Sequence, residues 1–130
     1  MTAATKRRLL LLTGGACAYA LTELGRFSYR PWVRATGVND YGLAESVGSL
    51  GGVVVSLFIF LALFASRRRI PLGLAIGLGI GAVVYEFLQP RLGSGTFDWR
   101  DVLAIIIGFS LAFPAIWLVW RRFPDAPQVE

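Results

Sequence analysis

Three long, almost unbroken apolar runs, residues 47–65, 70–88 and 102–120, restrict this chain more than any other feature. A bilayer core of ~30 Å is crossed by about 20 helical residues, within a range of ~17–25, and all three runs meet that length. A soluble domain would alternate apolar and polar positions to keep one face wet, and these runs do not. Unpaired backbone groups are too costly in lipid, so the runs must be helices. A membrane barrel would need a period-two pattern that is missing. A fourth run, 9–21, is shorter and spans only if Arg8 snorkels at one end while Glu23 and Leu24 lie near the other. The pattern predicts an all-α fold: one integral membrane bundle of four transmembrane helices covering 1–130. The spans fall at about 8–24, 44–66, 70–88 and 102–120, with an interfacial segment at 25–43.

Charge distribution orients the bundle. Lys6, Arg7 and Arg8, then Arg67, Arg68 and Arg69, then Arg121 and Arg122 each end a span, and four alternating spans put them on one side. That side carries only Asp125 and Glu130 as acids. The other side carries Arg26, Arg30, Arg34, Arg91 and Arg100 against Glu23, Asp40, Glu45, Glu86, Asp98 and Asp101. The positive-inside rule then places both termini in the cytoplasm of a multi-pass inner (plasma) membrane protein. The net charge of +5 thus encodes topology. Nucleic-acid binding would need a basic face on a soluble element, and no such element is seen.

The start of the chain, "KRRLLLL" followed by "ACAYA", also has the form of a signal peptide, with Ala18 and Ala20 placed as at a cleavage site. The alternation of charge clusters works best with this span retained. Gly14 stands where a lipobox usually has Leu, which argues against Cys17 as a lipoprotein cysteine. Cys17 is the single cysteine and there is no histidine. An intrachain disulfide is therefore impossible, and the commonest metal ligand and general base is missing. No metal or cofactor is expected.

Between the first two spans, Phe27, Tyr29 and Trp32 suit the headgroup zone. Arg26, Arg30 and Arg34 would form one helical stripe facing it, although Pro31 interrupts a helix unless one begins there. This predicts an irregular or short interfacial helix. Pro71 fits the first turn of the third span. Gly73, Gly77 and Gly81 follow at four-residue intervals, a small-residue stripe that lets another helix approach closely, within the bundle or in a dimer. Gly108 and Ala112 repeat the spacing in the fourth span, where Pro114 frees the carbonyl of Ser110.

The stretch "YEFLQPRLGSGTFDWRD", 85–101, is polar between two of the most apolar runs. Arg91 suits the negative end of a helix dipole, Gly93 and Gly95 a turn, and Asp98 and Asp101 a helix start. Glu86 resists that account, because it lies about one turn inside an apolar run. Ionisable groups inside spans are expensive and point to function by default. Seventeen residues from Arg69 cover roughly 26 Å of helix, which brings Glu86 near the outer boundary with Glu23 and Glu45. Two arrangements compete: structural ion pairs with the outer arginines, or a polar pocket.

These residues carry a resemblance. "YEFLQ" followed by "TFDWRDVLAIIIG" resembles the signature of VanZ-like membrane proteins: a Glu and Gln closing one span, a Phe-Asp pair, a further Asp opening the next span and a Gly within it. Glu86, Gln89, Asp98, Asp101 and Gly108 match that pattern. "DYGLAESVGSLGGVV" is similar to the acidic segment of small relatives, which adds Asp40 and Glu45. The resemblance runs from about residue 38 to 112. Gly95 stands where relatives often carry Arg, and Ile105 where many have Asn. The resemblance implies an envelope-associated membrane protein without an established reaction.

The expected function is an outer-leaflet site at which Asp40, Glu45, Glu86, Gln89, Arg91, Asp98 and Asp101 engage a lipid or cell-wall-related headgroup. One alternative is an assembly subunit that binds itself or another membrane protein through the glycine stripe. Another is a carboxylate-based membrane enzyme, which the missing histidine and nucleophile elbow disfavour.

Overall fold

The computed structural model describes residues 1–124 and is all-helical across them. Asp125 and Glu130, counted above on the basic side, lie outside the described residues. Helix α1 spans Ala3–Leu24, and its start is capped by the Thr2 hydroxyl, which accepts from the Thr5 amide. A π-helical turn, Gly25–Tyr29, leads directly into α2, Arg30–Thr36. Helices α3 (Leu43–Leu63), α4 (Leu72–Leu92) and α5 (Trp99–Arg122) complete the chain. Three of these helices, α3, α4 and α5, are long and apolar enough to cross a membrane. Helix α1 has 22 residues, and its first turns carry Lys6, Arg7 and Arg8.

The segment after α1 is more regular than the sequence suggests. Only 37–42 leave helical geometry before α3. Pro31 explains the π-helical turn: it has no N–H to return to the carbonyl of Phe27, and its ring would clash there in an ordinary α-helix. A widened turn just upstream absorbs both problems. Gly37 then closes α2 at φ 67°, a left-handed conformation that suits glycine. The arginine stripe does not simply face headgroups. Arg30 and Arg34 turn onto the start of α3.

Helix α3 is the hub, packed on α1 and on α5, while α4 leans more lightly on α3 and α5. The core is Leu11 of α1, Val53, Leu57 and Leu61 of α3, and Ile105, Ile116 and Trp120 of α5. Lipid tails are as apolar as these side chains, so close fit rather than escape from water holds such helices together. Glycine supplies the fit at the expected Gly108 and at Gly14, Gly15 and Gly51, but not along the α4 stripe. A Cβ at Gly14 would meet the Phe58 ring at 2.6 Å, and one at Gly15 would meet Ile59 at 2.7 Å. Gly51 likewise makes room for the Thr22 side chain. At Gly108 a Cβ would sit 2.7 Å from the Leu50 carbonyl oxygen, so α3 and α5 touch there almost backbone to backbone. By contrast, a Cβ at Gly73, Gly77 or Gly81 would have nothing within 4 Å. The α4 stripe therefore packs against none of the described helices. Only Ala75 and Glu86 of α4 are buried.

The basic clusters gather at one end. Arg8 donates to the Ala62 carbonyl, Arg7 lies over the Trp120 ring at 5.6 Å and Lys6 over Phe123 at 5.7 Å. Trp120 Nε1 donates to the Arg67 carbonyl at 3.1 Å. These contacts bring the start of α1, the α3–α4 connection and the end of α5 together.

Candidate functional site

At the opposite end, α3, α4 and α5 leave a cleft of about 620 Å³ between them. Its α3 wall is small and partly polar: Glu45, Gly48, Ser49, Gly52, Val53 and Ser56 recur at helical spacing. Helix α4 contributes Ala82, Tyr85, Glu86 and Gln89, and α5 contributes Asp101 and Ile105. Arg26, Arg30 and Ser94 also line it. From Glu45 to Ser56 is eleven residues, ~16 Å along the helix axis, about half of a ~30 Å hydrocarbon core.

Glu86 is 3% exposed and forms the centre of the α4 wall. Ser49 Oγ donates to its Oε1 at 3.0 Å, and Gln89 Nε2 donates to Oε2. Glu86 and Gln89 are three residues apart on one helix face, and Ser49 reaches across from α3. Gly95 permits this arrangement, because a Cβ there would press on the Gln89 amide. Within the described residues, no arginine forms an ion pair with Glu86. Pro90 adds a backbone feature: without an N–H, it cannot close the helical bond to the Glu86 carbonyl.

The other carboxylates have separate tasks. Glu45 is clamped by Arg34 Nε and Nη2 at 2.8 and 2.9 Å, with Arg30 at 3.6 Å. Arg30 also donates to the carbonyls of Ala44 and Glu45, so it ties the outer segment to α3. Glu23 pairs with Arg26 at 3.1 Å. Structural ion pairing therefore accounts for Glu23 and Glu45, and leaves Glu86 aside.

Of the seven predicted site residues, the cleft brings together Glu45, Glu86, Gln89 and Asp101. Asp98 is the N-cap of α5, accepting from the Arg100 amide at 2.9 Å. Asp101 stands in the first turn of α5 and lines the cleft. Arg91 is exposed and lies inside the last turn of α4, since the helix continues through Pro90 to Leu92. Asp40 stands apart, accepting from the amides of Gly42 and Ala44 and from the Tyr29 hydroxyl. It is a cap for α3 and a tether for the π-helical turn. Ser49, Ser56, Gly48 and Gly52 escaped sequence reasoning. Their signal was small polar residues at three- and four-residue spacing within an apolar span.

A second groove, of about 370 Å³, lies on the other side of Ile105 between α4 and α5. It is lined by aliphatic groups, Phe109 and Ser110, and the Ser110 hydroxyl is already bonded to the Ile106 carbonyl. It offers no polar chemistry comparable to the cleft.

Removal of solvent pushes the Asp40 carboxyl up, but the Ala44 and Gly42 amides and the Tyr29 hydroxyl outweigh this and hold it below the usual range. A depressed folded value adds stability above the unfolded value, ~4, and loses it as pH falls through the folded one. Asp40→Asn is therefore expected to melt below wild type at neutral pH. The two curves should converge as pH drops below about 4. An equal gap at every pH in detergent melts would rule this out. Comparison with protein-family models, characterised proteins and solved structures finds no match to this chain.

Proposed function

We propose that this is a four-span, VanZ-like protein of the inner membrane and cell envelope, with both termini cytoplasmic. Its cleft receives the polar group of a membrane amphiphile, a lipid or cell-wall-related molecule, at the outer end of the bundle. The observation that carries this is Glu86, a carboxylate 3% exposed on an apolar helix and held by neutral partners at the wall of a half-polar cleft. Such a group is expensive in lipid, and ion pairing does not explain it. The gathering of basic clusters at the far end supports the orientation.

Glu86→Gln tests the binding role. The bundle should stay folded, with a loss of about 1 kcal/mol as one of the two donors loses its acceptor. Lipid retained in native mass spectra from mild detergent should fall sharply. Unchanged lipid with a clear loss of stability would reduce Glu86 to a structural role. For orientation, a reporter after Glu130 should be active only in the cytoplasm, and one between Gly93 and Ser94 only outside. The reverse pattern would overturn the topology.

The second reading, an assembly subunit, draws support from α4, where a Cβ at Gly73, Gly77 or Gly81 would meet nothing among the described residues. A purified protein that holds no lipid and co-isolates with one membrane partner would favour it.

A further inference from the structure

We infer that the cleft selects a cation, an alkylammonium group, from among the polar groups an amphiphile can present. The inference rests on the cleft being a binding site, and it comes from which charges there are already engaged. Arg26 is bonded to Glu23, and Arg30 donates to the carbonyls of Ala44 and Glu45. Glu45 is in turn clamped by Arg34. At the rim Arg26 and Arg34 are thus neutralised by Glu23 and Glu45, and Arg30 is held chiefly on backbone carbonyls. Deeper in, Glu86 is bonded only to the neutral Ser49 and Gln89, and Asp101 faces the same space from α5.

Against Glu86 and Asp101 stands only the charge of Arg30, so the balance left in the cleft is negative. Each carboxylate has more acceptor sites than the donors it meets, since an ionised carboxyl offers about four lone-pair positions. An ammonium brings three N–H donors and one positive charge, which complements this set. A phosphate brings further acceptors and negative charge, which Glu86 and Asp101 repel, and the rim arginines are already turned to Glu23 and to backbone carbonyls. The small residues Gly48, Gly52 and Ala82 leave room for the methylenes beside the head. An amine-bearing lipid and a small free amine share this chemistry.

The experiment adds dodecylamine, dodecyl phosphate, dodecyl glucoside or ethylamine to the intact protein in mild detergent and measures each adduct by native mass spectrometry. Dodecylamine should be retained in preference to the phosphate and the glucoside. Glu86→Gln and Asp101→Asn should each weaken that retention at least tenfold, while Asp40→Asn, outside the cleft, should leave it unchanged. Two independent variants guard against one of them failing to fold. Ethylamine bound as well as dodecylamine would uphold the ammonium class and make the source a free amine. Preferential retention of phosphate or glucoside would overturn the ammonium class but keep the cleft as a binding site. Retention of none of the four would overturn both.

Discussion

Gly108→Leu should unfold the bundle or lower its melting temperature by many degrees, while Gly77→Leu should leave the melting temperature of the isolated chain almost unchanged. The asymmetry follows from what each side chain would meet. At Gly108 the first new carbon would lie 2.7 Å from the Leu50 carbonyl oxygen and 2.8 Å from a Val53 methyl. The first is backbone, which cannot swing aside as a side-chain tip can, so α3 and α5 must separate. Overpacking in a tight core costs about 1–3 kcal/mol, occasionally more, and a leucine against backbone belongs at the upper end. Because close fit is the main force between helices in lipid, there is little else to offset the loss. At Gly77 the new side chain enters open space. Leu78→Ala, which trims a side chain packed against the core, should then be more harmful than Gly77→Leu. Detergent melts of the three variants decide this. If Gly77→Leu were the most damaging, the α4 glycine face would have to be covered in the native assembly, by a second copy or another protein.

Trp120→Ala should be the most damaging truncation at the basic end. Trp120 is 6% exposed, supports Arg7 on its ring face, and donates to the Arg67 carbonyl. It therefore links α1, the α3–α4 connection and α5 through one side chain. Removing a buried aromatic costs roughly 3–5 kcal/mol through lost contacts and the cavity left behind. Trp120→Phe keeps most of the ring and should lose about 1 kcal/mol with the hydrogen bond. Trp117, half exposed beside Arg121, is the control. Trp117→Ala should lose less than about 1 kcal/mol, the range of an exposed cation–π contact. Equal destabilisation by Trp120→Ala and Trp117→Ala would show that the basic end is not packed as a unit.

The sequence by itself determined the three long apolar helices and the clustering of basic residues at their ends. Helix length and apolarity are properties of consecutive residues, so the runs at 47–65, 70–88 and 102–120 specify α3, α4 and α5 without reference to one another. The basic clusters are written next to the apolar runs, and the contacts of Arg8, Arg7 and Trp120 place them together in the fold. Glu86 was legible for the same reason: one charge inside an apolar run needs no neighbour to be conspicuous. What only the tertiary structure decided was which face of each helix meets which neighbour. Gly77 and Gly108 both sit in small-residue patterns, yet one faces open space and the other a carbonyl, because rotation about a helix axis is set by contacts between residues far apart in sequence. Pairing follows the same logic. Glu45 met Arg34 because the connection 37–42, with positive φ at Gly37, Tyr41 and Gly42, brings the start of α3 back beside α2. Glu86 met Ser49 because α4 leans on α3 at that level, thirty-seven residues away along the chain.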